Sequence, residues 1–306
     1  MFAGRKPWHG LGTALAEEDT TNWQLACAKA GLDWDVEPVP LVTADKYEPV
    51  THVAIRRTTD SRVLGVVGAR YVPVQNKEAF GWFQPFLDGG EAKLETAGAL
   101  RHGSRIWVLA RLSRDPLVVA PGDEVEKYVL LSHSHDGSLA VRVGFTPVRC
   151  VCSNTLAQAH NADASKLIRV RHSRSVHDNL ENVRAVMDTA NAEFEATAEQ
   201  YRFLARRSIN QTDLKKYVNR VMGIEETNPS TRSKNIAEQI VGLAEAGRGN
   251  DLASVRGTFW TAYNGLSEYL GYNRGRTPAK RLDSLWFGDS AALNRHALEV
   301  ALDMAA

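Results

Sequence analysis

The chain has 306 residues, of which 43% are hydrophobic and 24% charged, and its net charge is +1. This composition is typical of a globular protein and argues against a generally basic nucleic-acid coat, although a local basic groove stays compatible with it. The three cysteines are too few for a disulfide framework, no apolar run is long enough to span a membrane, and the N-terminus lacks the apolar core of a signal peptide, so we expect a soluble cytoplasmic protein.

The first half of the chain predicts a helix followed by hairpins. Residues 21–31 have apolar helical spacing between a Thr21 or Asn22 cap and a terminating Gly31. Residues 33–43 and 51–74 alternate and are rich in β-branched residues, with a polar turn at 58–62. Residues 75–88 predict a short helix that Pro85 ends or bends.

Two further hairpins are predicted at 93–113 and 126–152, turning around 101–104 and around 135–138, where Asp-Gly is a strong turn signal. Ser153 or Asn154 is then well placed to cap a helix. Because tight turns join these strands, we expect a mainly antiparallel sheet.

The second half predicts helices. The long helix near 176–206 is indicated by apolar spacings of three and four, and it lies across the sheet or forms a seam with a neighbouring subunit. Shorter helices are predicted near 212–221, 230–247, 255–271 and 291–304. The fold class is therefore α+β: an antiparallel sheet of hairpins with flanking helices in residues 1–165, a β-β-β-α-like core, followed by a helical region in residues 166–306.

The cysteines and histidines leave several types of chemistry open. Cys150 and Cys152 share one face of a predicted strand, which fits a metal site, a redox pair, a nucleophile or packing. We favour packing, because a zinc ribbon needs two intervening residues and a second pair. His133 and His135, beside Asp136, resemble a metal half-site or a general-base pair, but their position next to the turn favours an exposed hairpin tip. We predict no catalytic residue, no metal and no cofactor.

Arginine residues are more informative, because the planar guanidinium group donates two parallel hydrogen bonds to phosphate. They are spread over the β-rich half and the stretch at 166–177. A regular strand would put Arg142 and Arg149 on opposite faces, unless a bulge bends it. Tyr71, Trp107 and Phe145 could stack on bases, although for Trp107 a place in the core is favoured.

Several segments of the chain resemble a phage- and plasmid-associated family, the domain of unknown function number 932. They are PWHGLGT at 7–13, VLGVVGARYVPVQNKEAF at 63–80, SHDGSLAVRVGFTPVRCVCSNTL at 134–156, IRVRHSRSV at 168–176 and GTFWTAYNGLSEYL at 257–270. The resemblance implies a bacterial or phage setting and no particular activity. The element order is also similar to the core of the Rad-fifty-two-like single-strand annealing proteins, in which a β-β-β-α unit oligomerises into rings and a basic groove holds the nucleic acid.

These resemblances imply a phage-type protein that binds single-stranded DNA, or RNA, and promotes single-strand annealing in homologous recombination as a homo-oligomer, such as a ring, in the bacterial cytoplasm. The expectation depends on the basic side chains converging into one continuous track. The candidate contacts are Arg101, Arg105, Arg142, Arg149, Asn154, Lys166, Arg169 and Arg171.

Two alternatives remain open. One is a metal-dependent enzyme of nucleic-acid metabolism that uses His133, His135 and Asp136. The other is a phage interaction protein that acts on a host factor through the long helix.

Overall fold

The computed structural model describes residues 1–3, 11–113, 115–149, 154–155, 168–172, 183–224 and 227–306. It confirms the predicted α+β class, with antiparallel sheets, flanking helices, and helices mainly in the C-terminal half. The strands are β1 (Phe2–Ala3), β2 (Ala14–Leu15), β3 (Val36–Val42), β4 (Pro49–Arg57), β5 (Val63–Gly68), β6 (Ala92–Leu100), β7 (Arg105–Leu112), β8 (Leu117–Ala120), β9 (Asp123–Ser134), β10 (Val141–Arg149), β11 (Asn154–Thr155) and β12 (Ile168–Val170).

The larger sheet has nine strands, and all of its pairings except that of β1 with β2 are antiparallel. Its order is β11, β10, β9, β7, β6, β1, β2. In addition, β8 pairs with the start of β9, and β12 pairs with the first residues of β10. The predicted hairpins β6–β7 and β9–β10 form its centre, because each turn keeps two alternating segments in register.

The smaller sheet consists of β3, β4 and β5, as the alternation of residues 33–43 and 51–74 predicts. Its inner face buries Ile55 and Val67 against the rest of the molecule. The contact is close, because a Cβ atom added to Gly65 would collide with the Cα atom of Asp136 in the β9–β10 turn. The smaller sheet is therefore fixed against the hairpin of the larger one.

The helices in the N-terminal half are α1 (Trp23–Lys29), α2 (Asn76–Gly81) and α3 (Gln84–Asp88). The predicted cap at Asn22 is confirmed, since its side chain accepts a hydrogen bond from the Leu25 amide. Pro85 lies in the first turn of α3, where a missing amide hydrogen has no cost, so the chain bends before this proline and continues as a second helix.

The C-terminal half contains α4 (Val183–Arg206), α5 (Gln211–Met222), α6 (Thr231–Ala246), α7 (Phe259–Glu268), a π-helix (Tyr269–Asn273), α8 (Pro278–Phe287) and α9 (Asp289–Ala305). The predicted long helix is observed from Val183, while residues 176–182 lie outside the described part of the chain. It packs against β8 and β10, and the rings of Phe194 and Phe145 are 5.3 Å apart.

One hydrophobic core joins the two halves. It runs from Leu94 and Val108 in the sheet through Tyr201 in α4 to Trp260 in α7. No helix in the described ranges is long and apolar enough to cross a membrane.

Candidate nucleic-acid interface

Two arginine residues face each other at one edge of the larger sheet. Arg142 of β10 and Arg169 of β12 are directly opposite partners in the antiparallel ladder, so their side chains lie on the same face. Because Val170 points inward and is buried, Arg169 and Arg171 on either side of it are exposed. The ladder thus brings together three arginines that the sequence separates by up to 29 positions.

The environment of Arg142 is electropositive. Its side chain is half-buried, and its Nε atom is buried without a hydrogen-bond partner in the described part of the chain. Burial, followed by the positive charges of Arg169 and Arg105, lowers the pKa of Arg142. Like charges placed opposite each other in a sheet are destabilising. This arrangement can be relieved by an anion that accepts hydrogen bonds from both guanidinium groups.

A fourth arginine extends this group. Arg70 is exposed and directly precedes Tyr71, whose ring stacks on that of His172 with the ring centroids 4.6 Å apart. The Val72 amide also donates to the carbonyl of His172, which fixes residues 70–72 beside the segment that carries Arg171. We call Arg70, Arg142, Arg169 and Arg171 the basic edge; no ion pair joins any of them to a carboxylate among the described residues.

Arg101 and Arg105, two of the predicted contacts, share a carboxylate. Arg101 donates to Asp283 Oδ2 over 2.9 Å and Arg105 donates to Asp283 Oδ1 over 2.9 Å. Arg105 also donates to the Ser138 hydroxyl and lies over the ring of Phe287. It is 7% exposed, whereas 48% of the Arg101 side chain is accessible. These two arginines hold α8 against the β6–β7 turn, and only Arg101 is open to a ligand.

The prediction that Arg149 contacts phosphate is wrong. Its side chain is fully buried, and its Nε atom donates to Asp123 Oδ1 over 2.8 Å. It also donates to Asn250 Oδ1 over 2.8 Å and to the carbonyl of Gly249, while its guanidinium lies over the Trp260 ring. The register of β10 with β9 is regular from Arg142 to Arg149, so the two residues do lie on opposite faces. Arg149 therefore joins the sheet to α7.

Two predicted contacts remain, Asn154 and Lys166, and only Asn154 is among the described residues. Asn154 does not cap a helix; it lies in β11, where it pairs with Arg149. Lys166, Cys150 and Cys152 lie outside the described residues. Of the candidate stacking rings, Trp107 and Phe145 are in the core, where Trp107 packs on Trp286 with the ring centroids 4.7 Å apart.

His133 and His135 are not at an exposed hairpin tip, because both are fully buried. His135 Nε2 is 3.0 Å from Asn76 Oδ1, and its ring lies against Trp34. His133 has no hydrogen-bond partner for either ring nitrogen in the described part of the chain, and its ring centroid is 5.0 Å from that of His135. Residues of the N-terminal half cover this turn. One of them, Asn76, is 59 positions from His135 in the sequence.

This burial changes the acid–base behaviour of the histidines. Burial, assisted by the charges of His135 and His172, lowers the pKa of His133, and burial likewise lowers the pKa of His135 to about 3. Neutral imidazoles are the forms that bind metals. Within the described ranges, however, no group of three His, Cys, Asp or Glu side chains is arranged to hold a metal ion.

The fold and this interface define an α+β protein whose larger sheet carries an arginine-lined edge. A protein-family profile described as "Domain of unknown function (DUF932)" matches residues 63–286. The match covers well over half of the chain, so the chain belongs to this family. It runs from β5 into α8 and includes all four arginines of the basic edge. No curated protein and no solved structure matches the chain.

Proposed function

We propose that the chain is a phage-type protein that binds single-stranded nucleic acid in the bacterial cytoplasm and promotes the annealing of complementary strands. The observation that supports the proposal is the pairing of Arg142 with Arg169, two like charges held side by side where β12 pairs with β10. Arg70 directly precedes Tyr71, and Arg171 directly precedes His172, whose ring stacks on that of Tyr71, so these two exposed arginines add to the positive surface. The proposed set of contact residues is smaller than the set predicted from the sequence, because Arg149 is buried and Arg105 is paired with Asp283.

The chemistry of the basic edge suits a nucleic-acid backbone. A phosphate between Arg142 and Arg169 would relieve the repulsion between the two guanidinium groups and satisfy the buried Nε atom of Arg142. Such contacts hold the backbone and leave base edges free, which annealing requires. One such edge has few cations, so we propose that several subunits act side by side and multiply these contacts by effective concentration.

The proposal predicts salt-dependent binding that requires the basic edge. A labelled single-stranded oligonucleotide is titrated with the chain at several salt concentrations, and fluorescence anisotropy gives the affinity. We expect the double substitution Arg142→Gln and Arg169→Gln to weaken binding by at least about tenfold. The slope of log affinity against log salt should also fall, by about 0.7 for each phosphate of the single strand that the variant no longer neutralises.

The double substitution Arg256→Gln and Arg276→Gln is the matched control, because both arginines are exposed and lie far along the chain, and their substitution likewise removes two positive charges. It should leave affinity and salt slope unchanged. The proposal fails if the unsubstituted chain does not bind at low salt, or if the control weakens binding as much as the substitution of Arg142 and Arg169. Oligonucleotides of DNA and RNA separate the two ligands, and mixing two complementary labelled strands tests annealing apart from binding.

A further inference from the structure

A polar cavity lies beside the π-helix, well separated in sequence from the basic edge. Its volume is about 640 Å³, which is within the range of small-molecule sites. Tyr269 and Asn273, the first and last residues of the π-helix, both line it. Short π-helical segments are uncommon and are found frequently at functional sites. A ligand in this cavity would therefore contact the π-helix.

The lining of this cavity is positively charged. Arg232 of α6 and Arg274, which directly follows the π-helix, both line it, and no Asp or Glu in the described part of the chain does. Neither arginine forms an ion pair among the described residues. Asp289 lines an adjoining cavity of about 450 Å³, which shares Met222 and Arg274 with the first one. Two guanidinium groups in a concave site, with no ion pair to any carboxylate that the structure describes, favour an anion.

The rest of the lining indicates more than an inorganic anion. The amide side chains of Asn235, Gln239 and Asn273 offer both donors and acceptors. Ile236 and the buried ring of Tyr269 provide an apolar wall that suits a flat ring. A ligand that uses all of these groups combines a phosphate with a planar, hydrogen-bonding ring. A nucleoside phosphate has this chemistry, and the cavity is large enough for one.

We propose that the cavity between α6 and the π-helix binds a nucleoside phosphate, with Arg232 and Arg274 on the phosphate groups and the amide side chains on the base or sugar. The Arg274 side chain has no hydrogen bond within the described structure, whereas its carbonyl accepts a hydrogen bond from Arg281. Arg274→Gln therefore removes the charge without breaking a side-chain hydrogen bond or ion pair among the described residues.

Isothermal titration calorimetry of the full chain with ATP, pyrophosphate and adenosine tests the proposal. We expect saturable binding of ATP, weaker binding of pyrophosphate and no binding of adenosine. Arg274→Gln should weaken ATP binding by at least about tenfold, because hydrogen bonds to charged groups are the stronger ones. Its melting temperature should equal that of the unsubstituted chain.

Arg276→Gln is the control, since Arg276 is exposed, is two residues from Arg274 and does not line the cavity. It should bind ATP as the unsubstituted chain does. The proposal is overturned by a chain that gives no saturable heat with ATP, by equal losses in the two variants, or by pyrophosphate or adenosine binding as tightly as ATP. It is also overturned if the Arg142→Gln, Arg169→Gln chain loses ATP binding, because ATP would then be held at the basic edge.

Discussion

Arg142 and Arg149 lie on the same strand, yet they have opposite environments. Arg142 faces another arginine across the β10–β12 ladder, while Arg149 is surrounded by Asp123, Asn250 and Trp260. The Trp260 indole also donates to Asp123 Oδ2 over 2.8 Å. The Asp123 carboxylate therefore accepts hydrogen bonds from both Arg149 and Trp260. Removing the Arg149 side chain would leave this buried carboxylate hydrogen-bonded to the neutral indole and without its cation.

This geometry predicts a structural effect for Arg149. Arg149→Met should lower the free energy of unfolding by about 3–5 kcal/mol, because it leaves an uncompensated buried carboxylate. Urea denaturation followed by tryptophan fluorescence measures the change. Arg142→Gln is the comparison on the same strand, and it should change stability by less than about 1 kcal/mol, since a like-charge repulsion is removed.

The opposite result would support the prediction that Arg149 contacts nucleic acid. If Arg149→Met were as stable as the unsubstituted chain and yet had no affinity for single strands, the buried ion pair would have a different role from the one inferred here. Arg149→Lys covers the case in which the methionine variant does not fold. Lysine keeps the charge but not the fork of donors, so we expect a smaller decrease in stability.

At the residue scale, the sequence alone does not predict which arginines are exposed and which are buried. The alternation of β10 places Arg142 and Arg149 on opposite faces, as observed. Which face is covered depends on Asp123 and Asn250, 26 and 101 positions from Arg149, and no local pattern encodes those contacts. The same applies to His135, whose burial depends on Asn76.

Elements with strong periodicity are predicted well from the sequence, whereas the very short strands are not. The central hairpins and α5, α6, α7 and α9 follow from alternation, Asp-Gly turns and helical spacing. The π-helix, α8 and the strands of two to four residues, β1, β2, β8, β11 and β12, are missed. Helix α8 has sequence signals of its own, a Thr277 cap followed by Pro278, but its Trp286 packs on a distant residue, Trp107 of β7. Such elements exist because of tertiary contacts.

The crossing of α6 and α7 depends on a glycine. A Cβ atom added to Gly265 in α7 would lie 2.5 Å from the Ala244 amide nitrogen in α6, a backbone atom that cannot rotate away. Gly265→Ala should therefore lower the free energy of unfolding by about 1–3 kcal/mol, as overpacking usually does, although alanine favours the helix. Thermal and urea denaturation measure it.

Gly242→Ala in α6 is the matched control. Gly242 is exposed within the same pair of helices, and an added Cβ atom meets no atom within 4 Å. Alanine should stabilise the chain by up to about 1 kcal/mol there, through helix propensity alone. Equal effects of the two substitutions, in either direction, would mean that the two helices do not pack as closely as described.

At the scale of the whole molecule, the buried histidines join parts of the chain that are distant in sequence. His133 belongs to β9, His135 contacts Trp34 and Asn76 of the N-terminal region, and His172 follows β12 and stacks on the ring of Tyr71. Folding therefore moves several imidazoles out of water together. Their protonation is linked to global stability, since an unfolded histidine titrates near pH 6.5.

The direction of this linkage follows from the lowered pKa of each ring. Below about pH 6.5 the unfolded chain binds protons that folded His133 and His135 do not, so the free energy of unfolding should fall as the pH falls, by about 1.4 kcal/mol per pH unit for each histidine. For His135 the fall ends near pH 3, where its folded form is protonated too.

Urea denaturation between about pH 4.5 and 5.5 measures this slope, and the difference between the unsubstituted chain and His133→Leu isolates His133, because the carboxyl groups, including Glu95 with its raised pKa, titrate alike in both chains. His133→Leu should flatten the dependence by about one proton, and it should not lower stability at neutral pH, since neither ring nitrogen of His133 has a partner among the described residues. Val141→Ala, a neighbouring buried residue that does not titrate, should lower stability equally at every pH. Identical slopes for His133→Leu and the unsubstituted chain would show that His133 is protonated in the folded state, and that water or another ligand reaches a ring the described residues enclose.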